Sequence, residues 1–171
     1  MVASVVCAAF WTAAGIAAAE GSTTLSANVA EVIEVLTWPD EVYSLGDLMP
    51  GEEITIGPLQ FEVRSNVSWE IFIASDSPNG ELREYDTAGQ SYLMSGAQTQ
   101  NPLRWRWGES GVWTPLSQTP ASLFGIQPAT GDASKTFAFF LSFLPSFNDI
   151  RLTDPNREYR IVLTYTVGAR Y

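Results

Sequence analysis

The side chains with the most distinctive chemistry are three tryptophans, Trp105, Trp107 and Trp113, in the stretch NPLRWRWGESGVWTPL. Flat indole rings can stack on sugar rings, anchor protein interfaces or fill the core of a β-sheet protein. Arg104 and Arg106 alternate with the first two tryptophans and would give a binding surface a cationic rim. These five residues are therefore the candidate contacts for a ligand or partner. Packing of at least one tryptophan into the core is the alternative.

The common catalytic sites of neutral pH are excluded by composition, because the chain has no histidine. Ser-His-Asp and Cys-His nucleophiles and most zinc enzymes need that side chain. Neither Gly-rich phosphate-binding signature occurs, and the sequence has no D-x-D-x-D array of calcium ligands. A carboxylate pair can run a glycosidase without histidine, but no spacing here pairs two acidic residues. We predict a protein that is not an enzyme, with no catalytic residue, metal site or cofactor.

The first nineteen residues have the pattern of an export signal. No residue from Val2 to Ala19 is charged, and the stretch ends in three alanines, which signal peptidase accepts. We predict a signal peptide over residues 1–19. A retained membrane anchor is the alternative, since about 18 apolar residues only just cross a bilayer. Cys7, the one cysteine, lies in this segment, so the rest of the chain can form no disulfide.

Length and charge indicate one acidic globular domain. The 171 residues include 9 Lys and Arg against 19 Asp and Glu, and the net charge of −10 repels nucleic-acid phosphates. With 46% hydrophobic residues the chain can bury a core without metal or disulfide support. We predict a single domain over residues 20–171, no nucleic-acid partner, and membrane contact only through residues 1–19 if they are uncleaved.

Alternation of apolar and polar residues predicts β-strands along most of this domain. In FEVRSNVSWEIFI, residues 61–73, every odd position except Ser65 is apolar, which is typical of a strand with one buried face. Thirteen residues is long for one strand, so we expect a bend or bulge at Ser65-Asn66. KTFAFFLSFL and EYRIVLTYTVGARY alternate in the same way, and the first has a predicted buried face of Phe137, Phe139, Leu141 and Phe143.

Turn residues such as Pro50-Gly51, Asn79-Gly80 and Asp154-Pro155 separate the alternating stretches. The one helical candidate is a turn at TPASLFG, residues 119–125. About nine short strands without alternating helices predict an all-β fold, an antiparallel two-sheet β-sandwich that follows the signal segment.

The tryptophans can be placed on these strands. Leu103, Trp105 and Trp107 share one face of a short strand, and Arg104 and Arg106 share the other. GESG predicts a turn that leads back into residues 112–114. We therefore expect a β-hairpin that presents or buries the indole rings.

Asn66-Val67-Ser68 is an acceptor sequence for N-linked glycans. The alternation puts Asn66 on the outward face of its strand, where a glycan can be accommodated. Asn66 is therefore a candidate glycosylation site if the protein is exported by a cell that glycosylates.

Two stretches, FEVRSNVSWEIFIAS and REYRIVLTYTVGA, resemble the inner and last strands of WxL-type and related Ig-like domains of bacterial and archaeal cell surfaces. Trp69-Glu70-Ile71 and Tyr165-Thr166-Val167 stand where that family has its two W-x-L motifs. The resemblance implies an exported Ig-like β-sandwich with Trp69 and Tyr165 in its core. It also implies attachment to the cell wall or assembly with other surface proteins.

Tyr159 follows Asp154-Pro155-Asn156 at the start of a predicted strand, as in the tyrosine corner of Ig-like sandwiches. In that topology one more strand follows, so the sheet here is expected to have a different order or an open edge. An open edge accepts a strand from a neighbour, and the stretch EGSTTLSANVAEVIEV after the signal is a candidate donor.

The sequence thus predicts an exported structural or adhesive protein of the cell surface. Its expected partners are other surface proteins or copies of itself, joined by edge pairing and aromatic contacts, and strand donation between copies would make it a filament subunit. A carbohydrate-binding module that uses the tryptophans to stack on cell-wall polysaccharide is the alternative.

Overall fold

The computed structural model describes residues 25–40 and 42–171, which contain twelve β-strands and no helix. The predicted signal peptide at residues 1–19 lies outside the described residues. The chain divides into two compact units, Met1–Ala30 and Glu31–Tyr171. The described part of the first unit, residues 25–30, contains no strand, and its residues are exposed. The second unit contains every strand and begins eleven residues after the predicted start of the domain at residue 20.

The strands of the second unit are mostly short. In chain order they are β1 (Ile33–Thr37), β2 (Ile54–Ser65), β3 (Trp69–Ser75), β4 (Glu81–Asp86), β5 (Ser91–Tyr92), β6 (Gln98–Pro102), β7 (Arg104–Trp107), β8 (Thr114–Pro115), β9 (Ala121–Ser122), β10 (Lys135–Phe143), β11 (Arg157–Arg160) and β12 (Leu163–Ala169). Three of the twelve, β5, β8 and β9, have only two residues each, which accounts for the difference from the predicted nine.

All strand pairs are antiparallel, and they form three sheets. The five-stranded sheet has the order β1-β2-β10-β7-β8, and the three-stranded sheet has the order β12-β3-β9. In the third sheet β4 lies between β11 and β5 and also pairs with β6. The prediction of an all-β antiparallel fold is confirmed, and the arrangement is consistent with a β-sandwich.

The core lies between the five-stranded and three-stranded sheets. The ring of Phe61 on β2 contacts Tyr165 on β12, with ring centroids 5.1 Å apart. The ring of Trp69 on β3 meets Phe137 on β10 edge to face at 5.1 Å. Aromatic pairs of this kind add to the free energy gained by burying the rings. The predicted inner face of β10 is confirmed, because Phe137, Phe139, Leu141 and Phe143 are all buried.

The predicted interruption at Ser65-Asn66 marks the passage of the chain from one sheet to the other. β2 ends at Ser65 in the five-stranded sheet, and β3 begins at Trp69 in the three-stranded sheet. The Ser65 N–H donates to the Thr130 hydroxyl at 2.9 Å, and the Val67 N–H donates to the Ser65 hydroxyl at 3.2 Å. The one polar residue of the buried series therefore holds the corner.

The C-terminal alternating segment is also divided between two sheets. β11 pairs with β4, and β12 pairs with β3, with the break at Ile161-Val162. At this break the Val162 N–H donates to Asp76 Oδ1 at 2.9 Å. Alternation alone could not show this division, since Ile161 and Leu163 both remain partly buried against the core.

The predicted turns at Pro50-Gly51, Asn79-Gly80 and Asp154-Pro155 are confirmed, and the predicted helical turn is wrong. Asn79-Gly80 does form the turn between β3 and β4, and Gly80 has a φ of +82°, which only glycine adopts readily. The predicted helical turn at residues 119–125 is wrong, because that stretch contains β9, which pairs with β3. Pairing with the neighbouring strand outweighs the local helix signal of Thr119-Pro120.

Candidate functional site

The predicted tryptophan hairpin is confirmed. β7 pairs with β8, with Arg104 opposite Pro115 and Trp105 opposite Thr114. Gly108, directly after β7, has a φ of +61° and lets the chain reverse. β7 also pairs with β10, so the hairpin forms one end of the five-stranded sheet.

The three tryptophans do not form a row. Trp105 is 7% exposed and belongs to the core, whereas Trp107, the last residue of β7, is 54% exposed. The Trp107 ring meets Phe124 edge to face at 6.2 Å. Trp113 is half-buried and lies against the two arginines instead of the other indoles. A continuous stacking platform of all three rings is therefore absent from the hairpin.

Arg106 lies between two aromatic rings. Its guanidinium carbon is 4.5 Å from the centre of the Trp113 ring and 5.3 Å from that of Phe140. Among the described residues no carboxylate forms an ion pair with it, so its charge is balanced only by the ring faces. A cation held in this way can receive an anionic group.

Arg104 is held differently. Its Nη2 forms an ion pair with Glu53 Oε1 at 2.8 Å, and the same carboxylate oxygen accepts a hydrogen bond from Ser142. Arg104 also lines a shallow cavity of about 140 Å³ with Asn101, Pro102 and Leu144. The predicted five-residue site is thus split into a buried ring, an exposed ring, and a polar cluster around Trp113.

The edges of the sheets are a second candidate site, and most of them are protected. β5, β8 and β9 have only two residues, and β6 contains Pro102. β1 carries Glu34, and β11 carries Arg157, Glu158 and Arg160. Short length, proline and charge all oppose pairing with another chain. Among the edge strands of the described residues, β12 alone is longer than two residues and has neither a charge nor a proline.

The backbone groups that β12 leaves free can be identified from its register. The N–H of Asp76 donates to the Val162 carbonyl at 3.0 Å, and the N–H of Arg170 donates to the Ser68 carbonyl at 2.8 Å. In an antiparallel pair, hydrogen-bonded residues alternate with residues whose N–H and C=O point away from the partner strand. Even-numbered residues of β12 therefore bond to β3, and the outward groups belong to Leu163, Tyr165, Val167 and Ala169.

The core beneath β12 is only partly covered. Leu163, Tyr165 and Val167 pack against the core but are only partly buried, whereas Ile71 and Ile73 on the neighbouring β3 are almost fully buried. Burial raises the pKa of the Tyr165 hydroxyl above its ordinary value of 10.0. The edge therefore offers both backbone groups and an unfinished apolar surface, the two features that an added strand uses.

Tyr159 lies on β11 and ties a loop to the sheet. Its hydroxyl donates to the Ile150 carbonyl at 2.7 Å, as a tyrosine corner requires. Desolvation and then the nearby charges of Asp149 and Glu84 raise the pKa of this hydroxyl. The side chain therefore fixes the connection between β10 and β11.

Asp76 is a structural residue that sequence reasoning missed. Besides accepting the Val162 N–H, its carboxylate forms an ion pair with Arg83 at 2.7 Å. The Asp76 carbonyl also accepts a hydrogen bond from Gln118 Nε2 at 3.0 Å. The only signal in the sequence is an Asp-Ser-Pro turn, which does not show that β12 begins at this carboxylate.

Asn66 is exposed at the corner between β2 and β3, on the outward side as predicted. Its side-chain oxygen accepts the Val32 N–H at 2.8 Å, and its own N–H donates to the Val32 carbonyl at 3.2 Å. The side chain thus extends the pairing of β1 and β2. Whether it carries a glycan stays a prediction.

Several kinds of site and relative were not found. Within residues 25–40 and 42–171, no group of three or more Cys, Asp or Glu side chains is placed to hold a metal ion. The same residues contain no helix with the length and apolar character needed to span a membrane. No protein-family model matches the chain, and neither a curated protein nor a solved structure was found to be similar to it.

Proposed function

We propose that the protein is an exported structural or adhesive component of the cell surface, acting through contacts with other surface proteins or copies of itself. The main support is the free edge of β12, seven residues without charge or proline. Such an edge binds an extended peptide through main-chain hydrogen bonds, with affinity increased by alternate side chains. The proposed activity is association and not the making or breaking of covalent bonds.

Residues 1–19 support export through their uncharged run and alanine-rich end. We expect the native protein to begin near Glu20 when its intact mass is measured. Recovery of the full-length chain from cytosol alone would contradict export.

An Ig-like topology related to WxL-type surface domains is the finer fold assignment that we propose. Trp69 is fully buried between the sheets, and the Tyr159 hydroxyl binds a loop carbonyl. Both features agree with the core tryptophan and tyrosine corner of Ig-like sandwiches. An experimental structure with a strand order unrelated to those domains would contradict the assignment.

Association through β12 can be tested by adding a charge to its exposed face. Thr166 is exposed, and its N–H bonds to β3, so Thr166→Lys leaves the outward backbone groups in place. A lysine on an edge strand opposes pairing with another chain. Gln60→Lys is the matched control, because Gln60 is exposed on β2, an inner strand of the five-stranded sheet.

Sedimentation velocity over a range of concentrations gives the readout. We expect the wild-type chain and Gln60→Lys to associate with the same dissociation constant, and Thr166→Lys to need at least tenfold more protein. Equal association of all three chains would contradict edge pairing, and a monomeric wild-type chain would contradict self-association.

Carbohydrate binding is the second candidate, favoured by the exposed Trp107 ring, since an indole face can stack on a sugar ring. Acrylamide quenching of tryptophan fluorescence tests it, with Trp107→Phe used to assign the signal. If sugar binds here, polysaccharide protects the wild-type chain from quenching but has no such effect on Trp107→Phe. Unchanged quenching in both chains would exclude stacking at this ring.

A further inference from the structure

We infer that the strand received by the β12 edge is the segment of residues 25–29 from a second copy of this chain. The inference rests on the proposed self-association and specifies its partner surface. Within residues 25–40 and 42–171, β12 pairs with a strand on one side only, and residues 25–29 belong to no strand. A strand donated by residues 25–29 would fill the open side of β12.

The segment LSANV, residues 25–29, has the side-chain pattern of a strand. Leu25, Ala27 and Val29 fall on one face, and Ser26 and Asn28 fall on the other. Leu25 is 92% exposed and Val29 is 87% exposed, so the apolar face has no cover in the described residues. Large apolar side chains exposed together in one segment indicate an interaction surface.

The segment reaches most of the edge. The outward groups of β12 run from Leu163 to Ala169, a distance of about 20 Å at ~3.3 Å per residue. Residues 25–29 span about 13 Å by the same measure. Alternate residues of the segment can therefore pair with three of the four outward residues of β12.

The two faces also agree in chemistry. An added strand continues the pleat of its neighbour, so its apolar face extends the partly covered surface at Leu163, Tyr165 and Val167. Ser26 and Asn28 would then lie beside the exposed Thr164 and Thr166. Neither face brings a charge against β12, which itself has none.

Pairing of one copy's segment with another copy's β12 is a head-to-tail contact. Each copy in such a contact can still offer its own residues 25–29 or its own β12 edge to a further copy, so the contact extends into a filament unless rotation closes a ring. Pairing of β12 with β12 would stop at two copies and would leave Leu25 and Val29 exposed. The uncovered apolar segment therefore favours the head-to-tail arrangement.

The donor side is tested by a matched pair of full-length variants. Val29 and Val112 are 87% and 86% exposed, so Val29→Asp and Val112→Asp make the same change on two equally exposed sites. We expect Val29→Asp to raise the dissociation constant for self-association at least tenfold and Val112→Asp to leave it within twofold of wild type. Equal effects of the two variants would overturn the inference.

Disulfide cross-linking then identifies the contact. In a Cys7→Ser background, Asn28→Cys chains are mixed with Thr164→Cys or Thr166→Cys chains of different mass and oxidised mildly. We expect disulfides between the two kinds of chain, in excess over those formed with Gln60→Cys, which lies on an inner strand of the five-stranded sheet.

The results that would contradict this inference can be distinguished from those that would contradict self-association as a whole. If the chains associate but only Thr166→Cys pairs with itself, β12 meets β12 and the inference is wrong while self-association stands. If an Asn28→Cys/Thr166→Cys chain forms its disulfide only within one molecule, the segment completes its own edge and the inference is also wrong. If no variant associates, both the inference and the proposed self-association are wrong.

Discussion

Two neighbouring edge strands, β11 and β12, have opposite chemistry although they come from one stretch of the chain. β11 is four residues long and carries Arg157, Glu158 and Arg160, whereas β12 is seven residues long and uncharged. β11 is fastened by polar contacts, such as the ion pair from Arg157 to Asp86 at 3.0 Å. β12 is fastened by the ring of Tyr165, which packs on Phe61 and Phe139.

The difference shows that an edge can be anchored without being protected. The charges on β11 hold the strand in place and also oppose pairing of another strand with this edge. Tyr165 anchors β12 from its inner face and leaves the outward backbone groups free. A residue that stabilises β12 can therefore be separated experimentally from one that controls its pairing.

Removing the aromatic anchor of β12 should have the largest effect on stability. Tyr165→Ala removes a ring in contact with two phenylalanines, and we expect the free energy of unfolding to fall by about 3 kcal/mol. Urea denaturation followed by circular dichroism measures this loss. Tyr165→Phe keeps the ring and is expected to lose much less; equal losses would show that packing is not the anchor.

Removal of the Asp76 carboxylate should have the second-largest effect on stability, because this group joins the start of β12 to Arg83 on β4. Asp76→Ala leaves the Val162 N–H and the guanidinium without their acceptor, and we expect a loss of about 2 kcal/mol. Asp76→Asn keeps an acceptor oxygen, and its loss in the same urea titration should be smaller. A neutral Asp76→Ala variant would contradict this role.

Tyr159 on β11 should contribute less than Tyr165 on β12. Tyr159→Phe keeps the ring and removes the hydrogen bond to the Ile150 carbonyl, for an expected loss of about 1 kcal/mol. Differential scanning calorimetry of this variant beside Tyr165→Ala checks the ranking. A larger loss from Tyr159→Phe would reverse the comparison between the strands.

The stability that β11 gains from the contact between Arg157 and Asp86 should fall in acid. The hydrogen bond from the Gly89 N–H, followed by the charge of Arg157, holds the pKa of Asp86 below its ordinary value of 3.8. A carboxyl whose pKa is lowered by folding stabilises the protein above its unfolded pKa and loses that contribution as the pH falls. In urea titrations between pH 5 and pH 2, Asp86→Asn should therefore lose less stability than wild type; parallel losses would contradict this cause.

Much of the fold follows from the sequence, because side-chain alternation is a local property. Residues 61–73 and 135–144 showed their buried faces, and the polar Ser65 showed where the chain turns. Which strands become neighbours is not local. β11 and β12 belong to different sheets, and at the break between them Val162 bonds to Asp76, which lies 86 residues earlier in the chain.

The candidate sites were harder to predict for the same reason. Trp105 and Trp107 share a face by alternation, yet one is buried and the other exposed because β7 ends at Trp107. The position of Trp113 against Arg106 depends on the hairpin and on Phe140 of β10. An open edge was one of the two alternatives that the tyrosine corner predicted, and its identity as β12 required the register with β3.

Amide hydrogen exchange, followed residue by residue by NMR, measures the central claim most directly. In dilute protein the N–H groups of Leu163, Tyr165, Val167 and Ala169 should exchange fast, while those of Thr164, Thr166 and Gly168 are protected by β3. At concentrations where the chains associate, the first four should become protected and the other three should change little. Fast exchange of the first four in the associated state, or their protection already in dilute protein, would contradict pairing through β12.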